Sequence, residues 1–395
     1  MTEMSNGEEG SPDMSTYDAE EPNFQHHVDS GWTVAIIGLG LIGGSLGMAW
    51  RTAPSVRRVI GVVRRPEAVD EAVALGACDE ATLDARAAAA QADIVVVCTP
   101  ISSIISTVKD ILPAVRPGTI ITDAGSTKAA VCNALWSVCP SGVYFIGGHP
   151  MAGSEKDGIR AADPYLFENA VYVLTPHAEQ IGSEAVARLT QLVRELGALP
   201  MLMDPERHDT IVAAVSHVPH LAAAALVHAV DQVNREVPDT LTLAAGGFRD
   251  TTRIASGLPS LWREICLSNR ESIKQVLQRY IQVLEEMMRS IDQADGGALE
   301  ALLKHARDVR QKVPNRSKGI IASLFELVVE MVDRPGEIAA VTTLLAKEHV
   351  NLIDIEILRV REGEGGTVRL GFESDTERDQ AMRILRANGY RARAR

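Results

Sequence analysis

Apolar and polar positions divide the chain into three regimes. Between Trp32 and Leu196, short apolar runs alternate with amphipathic stretches. Arg58–Val63, Asp93–Thr99, Gly118–Asp123, Val143–Ile146 and Ala170–Leu174 join Trp32–Ile37 as predicted strands. The continuous apolar character of the run at Asp93–Thr99 fits a parallel sheet covered on both faces. Helical stretches ending at Trp50 and spanning Ser103–Leu112 and Ser183–Leu196 lie between the strands. This alternation predicts an α/β fold, a Rossmann-type doubly wound parallel sheet, over residues 32–203. Beyond Met203 the pattern turns helical. His208–Val230 is alanine-rich and holds Pro219, which predicts a kink or a break. Ser268–Ile291 places Ile273, Val276, Leu277, Tyr280, Ile281 and Leu284 on one side, a face suited to pairing across a dimer. Residues 204–312 are therefore expected to form an all-helical domain for substrate and dimerisation. The basic, Pro/Gly-bearing stretch Arg310–Ser323 supplies a linker at 313–323. Residues 324–395 then run strand, helix, strand, a Gly-rich turn at Glu362–Gly366, strand, helix and a short last segment, the βαββαβ order of a ferredoxin-like unit.

The first strand leads into Gly38-Leu-Gly40-Leu41-Ile42-Gly43-Gly44-Ser45 and a helix. Gly38 permits the tight turn, Gly40 lets backbone approach a pyrophosphate, and Gly43 lets helix and strand pack closely. That arrangement predicts a dinucleotide cofactor. At the end of the second strand, where an acidic residue would bond the ribose hydroxyls of NAD, the chain reads Val63-Arg64-Arg65-Pro66. Two arginines there can hold a 2′-phosphate, so NADP use is open beside NAD; the plainer reading is a solvated basic turn.

Composition adds exclusions. The formal charge of −13 argues against nucleic acid as a partner, and eight of the acidic residues lie in residues 1–31, which have no Lys or Arg and read as a disordered tail. No apolar run in the sequence pattern is long enough to span a bilayer, and there is no signal-peptide pattern, so a cytoplasmic protein is expected. Five cysteines form no CxxC pair, and His and Cys do not cluster at ligand spacing, so no metal is expected.

The chemistry centres on Gly147–Gly158, GGHPMAGSEKDG. Its glycines and proline predict a loop at the strand ends, where such a sheet places its ligands. His149 is the residue in it able to exchange a proton near neutral pH; an incidental histidine on a surface turn fits locally as well. Ser126, in Ala124-Gly125-Ser126-Thr127-Lys128, stands where a strand becomes a helix; capping that helix is the simpler local reading, with a ligand contact as the other. His217 and His220 sit three apart beside Pro219, as core histidines or as polar groups facing a substrate. The stretch from Gly246 to Trp262 is dense in arginine, which suits carboxylate binding or surface ion pairing.

In order along the chain, GLGLIGGS, DAGSTK, GGHPMAGSEKDG, SHVPH and FRDTTRIASGLPSLW resemble the bacterial prephenate dehydrogenases of tyrosine biosynthesis, and the similar arogenate dehydrogenases, over about Trp32–Val313. The DRPGEIA turn and HVNLIDIEI strand resemble an ACT domain, a module that binds amino acids for feedback control. The resemblance implies oxidative decarboxylation: hydride passes from the substrate ring to a nicotinamide, NAD by family default, as carbon dioxide leaves. It makes His149 the base and Ser126 the group that orients it and the substrate hydroxyl. It makes Arg253 the ligand of the ring carboxylate, places His217 near the pyruvyl side chain, and gives Glu155, Arg249 and Trp262 lesser pocket roles. Gly38, Gly40, Leu41, Ile42, Gly43, Thr99 and Pro100 become cofactor contacts, with Arg64 and Arg65 the departure. Gly336 and Asn351 become effector contacts, with tyrosine the expected effector and a simple dimerisation module the alternative. A β-hydroxyacid dehydrogenase would carry a catalytic lysine on a helix after a glycine pair, whereas Gly246-Gly247 leads into arginines. A non-catalytic sensor would have no need of His149, Ser126 and Arg253.

Overall fold

The structure, a computed structural model, describes residues 31–153, 158–313, 325–332, 334–358 and 367–394. The acidic tail, Glu155, the linker and the Glu362–Gly366 turn lie outside the described residues, apart from Gly31 and Val313 at the edges of the tail and the linker.

The first domain runs β1 (Trp32–Ile37), α1 (Leu41–Trp50), β2 (Val56–Val62), α2 (Glu67–Ala74), β3 (Glu80–Thr82), α3 (Ala85–Gln91), β4 (Ile94–Val97), α4 (Ile101–Ile111), β5 (Ile120–Asp123), α5 (Ala129–Trp136), β6 (Tyr144–Pro150), β7 (Val171–Thr175), α6 (Glu184–Arg194) and β8 (Leu199–Leu202). The sheet order is β3-β2-β1-β4-β5-β6-β7-β8, so the winding reverses between β1 and β4. Separate apolar cores fill the two faces, one around Ile36, Trp50 and Leu189, the other around Val95, Ile104 and Phe145. The first six strands are parallel, but β7 pairs antiparallel with β6 and carries β8 with it.

The Gly147–Pro150 part of the expected loop is strand. Gly147 to Pro150 pair with Thr175 to Tyr172. The glycines serve close packing and not a turn. A Cβ on Gly148 would stand 2.5 Å from the Asp123 carbonyl oxygen and 2.9 Å from Thr122 Oγ1, and one on Gly147 would collide with Thr175 and Cys132.

The helical domain comprises α7 (Pro205–Val212), a π turn (Ala213–His217), α8 (Val218–Glu236), α9 (Gly246–Thr252), a 3₁₀ turn (Arg253–Ser256), α10 (Pro259–Ser268), α11 (Arg270–Asp292) and α12 (Gly296–Lys312). Pro219 does not break the helix. It falls in the first turn of α8, where a missing N–H is tolerated, and the π turn before it absorbs the misfit. The helix therefore runs on from Pro205 to Glu236, long and apolar enough by composition to cross a bilayer, which corrects the expectation that no such run exists. Here its inner face holds the buried polar residues His208, Asp209, His217 and His220. On α11, Ile273 is buried and Val276 and Leu277 join the small core around Ala213 and Val218, whereas Tyr280, Ile281 and Leu284 stay exposed.

The last domain runs β9 (Phe325–Glu330), α13 (Glu337–Lys347), β10 (Asp354–Leu358), β11 (Thr367–Phe372), α14 (Asp375–Ala387) and β12 (Arg391–Ala394), in an antiparallel sheet of order β10-β11-β9-β12 with its own core. This is the ferredoxin-like arrangement expected.

Candidate active site

A cleft of about 1970 Å³ opens at the carboxyl ends of β1, β4 and β5 and is closed on its far side by the helical domain. The Gly38–Gly43 turn, Arg64, Arg65, Thr99, Pro100, Ser126, His149, His217, Arg253 and Trp262 all line it. Arg249 does not; it is exposed on α9. Gly336 and Asn351 are exposed in the last domain, and the cavity of about 410 Å³ there, lined by Val328, Thr367, Arg386 and Tyr390 among others, includes neither.

The cofactor end fits a dinucleotide. Gly38 has φ +101° and its Cβ position is filled by the Cys98 carbonyl; a Cβ on Gly43 would collide with the Gly38 carbonyl; Gly40 faces open space. No side chain caps α1, which leaves its N-terminal amides for phosphate. The Thr99 hydroxyl is buried in the cleft with no hydrogen-bond partner among the described residues, a donor awaiting a ligand. Arg64 and Arg65 make no ion pair among the described residues and are exposed at the rim.

At the other end, His149 does not stand alone. Its Nδ1 lies 2.8 Å from His208 Nε2, and His208 Nδ1 lies 2.8 Å from Asp209 Oδ1. The Asp209 carboxylate also accepts the backbone N–H groups of Lys128 (2.7 Å) and Ala129 (3.0 Å). An ionised carboxylate only accepts, so the protons along the chain are assigned: His208 carries its proton on Nδ1, its Nε2 accepts from His149 Nδ1–H, and His149 Nε2 is left as a lone pair. Burial holds the His149 pKa well below its ordinary value, with His208, the Lys128 ammonium and His217 adding to the effect. His149 is thus neutral near pH 7 and presents a base.

Ser126 is not a helix cap. The N terminus of α5 has no side-chain cap of its own; Asp209 takes that place, and Ser126 lies at a bend lining the cleft. His217 is buried, and Asn269 Nδ2 donates to its Nδ1 at 3.2 Å and to the Asp209 carbonyl at 2.7 Å. Burial lowers the His217 pKa to about 4. His220 stacks on Trp262, ring centroids 3.5 Å apart, and its Nδ1 has no partner among the described residues. Gly257 admits this stack, since a Cβ there would stand 2.6 Å from Trp262 Nε1. Arg253, just before, lines the cleft without an ion pair among the described residues. Glu264 is not its partner; its Oε2 accepts the Ser102 N–H at the start of α4 (3.3 Å), tying the helical domain to the cofactor domain.

His208 and Asp209 were missed by sequence reasoning. Their one signal is a histidine–aspartate pair in the first turns of an otherwise apolar helix, and their partner stands 59 residues away. Among the described residues no group of His, Cys, Asp and Glu is placed to hold a metal.

A glycine cradle at the switch point of a wound sheet, facing the same cleft as a neutral histidine of assigned tautomer, defines a dinucleotide-dependent oxidoreductase that takes up a proton as hydride leaves. Residues 46–202 match the nucleotide-binding domain of prephenate dehydrogenase, residues 204–305 its dimerisation domain, and residues 325–383 the ACT domain. The prephenate dehydrogenase of Bacillus subtilis is 36% identical over 356 residues, 90% of this chain and 96% of that protein. The Aquifex aeolicus prephenate dehydrogenase, solved with hydroxyphenyl propionate and NAD+, superposes with a TM-score of 0.67 at 28% identity over 72% of this chain and 99% of that one. The Synechocystis arogenate dehydrogenase gives 0.64 at 34% identity over 71% of this chain and all of that one. The chain belongs to the prephenate dehydrogenase family, and it is an NAD(P)-dependent oxidoreductase of tyrosine biosynthesis with a C-terminal ACT domain.

Proposed function

We propose that the chain converts prephenate to 4-hydroxyphenylpyruvate with His149 as the general base, under feedback control by tyrosine. The observation that carries this is the chain from Asp209 through His208, which leaves His149 Nε2 unprotonated in the cleft. A nicotinamide dinucleotide bound at the glycine cradle supplies the hydride acceptor. His149 Nε2 takes the proton of the ring hydroxyl, and Ser126 orients that hydroxyl. Arg253, free of ion pairs among the described residues, binds the ring carboxylate until it leaves as carbon dioxide. His220, with an unpartnered Nδ1 beside Trp262, suits the side-chain end of the substrate better than His217, whose Nδ1 is taken by Asn269. Arg64 and Arg65 favour acceptance of NADP beside NAD. The exposed apolar side chains of α11 support a homodimer built on the helical domain, and the ACT domain supports an amino-acid effector, with Gly336 (φ +90°) and Asn351 as its contacts.

A second reading, arogenate as substrate, is favoured by the likeness to the Synechocystis enzyme. Steady-state rates for prephenate and arogenate, each with NAD and NADP and with and without tyrosine, separate the two. Prephenate turnover suppressed by tyrosine is expected; turnover of arogenate alone would move the enzyme one step in the pathway. Turnover of neither would sink the reading.

A further inference from the structure

Beneath the cleft lies a charge pair whose carboxylate has no part in the chemistry above. Asp123 and Lys128 are both fully buried, and Lys128 Nζ bonds Asp123 Oδ2. We propose that Asp123, charge-balanced by Lys128, is the positioning residue that sets Ser126 and His149 in register, and that it acts on the chemical step and not on substrate affinity. The proposal rests on the reading of His149 as base and Ser126 as its partner.

The backbone explains the need. Main-chain pairing of β5 with β6 ends at Thr122 and Ile146. Past that point the two strands lead into the segments that carry Ser126 and His149. The Asp123 side chain takes over there: Oδ1 accepts the N–H of Gly148 (3.1 Å), the residue before His149, and Oδ2 accepts the N–H of Gly125 (2.8 Å), the residue before Ser126. One carboxylate therefore holds both segments, and a displacement of it moves both groups. Gly125 also packs against it: a Cβ there would stand 2.9 Å from Asp123 Oδ2. The Lys128 backbone N–H bonds Asp209, so the same short segment links this carboxylate to the one that orients His208.

A carboxylate is required because both of its oxygens accept. An amide would turn its NH₂ toward one of the two backbone donors and lose that tie. The ammonium is required because an ionised carboxylate this deeply buried needs a paired charge.

The test is Asp123→Asn, alone and with Ser126→Ala, read as kcat, KM for prephenate and NAD affinity, with Tm recorded. The expected result is a kcat lower by about 10²-fold, since misplacement by about 1 Å costs that much, with KM and NAD affinity changed less than about threefold. In the Ser126→Ala background the same substitution should cost several-fold less, because one of the two groups it positions is gone. Asp123→Asn strands a buried ammonium, so the cycle is repeated with Asp123→Asn/Lys128→Gln, a neutral pair of similar shape. Equal losses in both backgrounds, or full kcat in either folded variant, would overturn the proposal. His149→Asn is the control for the underlying reading: if it retains the wild-type rate, that reading fails, whatever Asp123 does.

Discussion

Asp209 illustrates how one side chain sets the chemistry of another two residues away in space. Its Oδ1 both faces His208 Nδ1 and accepts the Lys128 N–H, while Oδ2 accepts the Ala129 N–H. With Ala in its place, no acceptor holds the proton on His208 Nδ1; in the other tautomer His208 donates from Nε2 to His149 Nδ1, and His149 Nε2 becomes an N–H. Asp209→Ala should lower kcat by about 10²- to 10⁴-fold, with a lower Tm because two backbone N–H groups lose their acceptor; a kcat within a few-fold of wild type would mean that the tautomer is set elsewhere. The histidines also make stability depend on pH. A histidine whose folded pKa lies below its unfolded value binds the proton better when unfolded, so its contribution is complete above about pH 6.5 and is lost as pH falls. For His217, lowered to about 4, that loss amounts to something on the order of 3 kcal/mol between those values. Denaturant unfolding at pH 7 and pH 4.5 should show a smaller acid loss in His217→Asn than in wild type, and equal losses would exclude His217 as the cause. None of this chain of protons was legible in the sequence, because its members, at 149, 208 and 209, meet only when β6 and α7 pack. Ser126, His149 and Arg253 were legible because their motifs recur in order, and the structure does gather them in one cleft.

At the scale of elements, what the sequence conveyed depended on whether a residue's local preference matched its tertiary role. The apolar runs of β1, β4 and β5 were recognisable, with α1 and α4 beside them, because buried parallel strands advertise themselves by composition. Gly147–Pro150 was not, since glycine and proline read locally as a turn and here serve a crowded strand. Pro219 misled in the same way: its cost depends on whether it falls in a helix interior or a first turn, and a π turn decides which. β8, beyond α6, went unread because Leu199–Leu202 holds a proline and is half exposed, an edge strand without a period. The β6 geometry makes a prediction of its own. Gly148→Ala drives a Cβ into the Asp123 carbonyl oxygen and Thr122 Oγ1, which backbone on both sides prevents from giving way. It should lower stability by about 1–3 kcal/mol and, because His149 follows directly, reduce kcat in the fraction that folds. A variant with wild-type Tm would show that β6 can move away from β5 at that point.

For the whole molecule, the question is how a domain with its own sheet and core can govern a cleft it does not line. Among the described residues, none of those lining the cleft comes from the ACT domain. If tyrosine acts through that domain, the effect must be a coupling free energy between two sites, and such coupling is reciprocal. Tyrosine that weakens binding of a non-reactive prephenate analogue by some factor, of about 5- to 150-fold for typical couplings, must itself be bound more weakly by that same factor when the analogue is present. Removal of residues 324–395 should then abolish tyrosine inhibition while leaving prephenate turnover, since the cofactor and helical domains keep their cores intact. Tyrosine is also close in shape to the product, and competition in the cleft would give mutual exclusion that survives the deletion. The two mechanisms part at saturation. Coupling reaches a finite limit, so at high tyrosine the apparent affinity for the analogue levels off, whereas competition drives it down without bound. A titration of the analogue against rising tyrosine, in the full chain and in the shortened one, therefore decides where the effector sits: a plateau in the first and no effect in the second place it on the ACT domain, and a linear rise in both places it in the cleft.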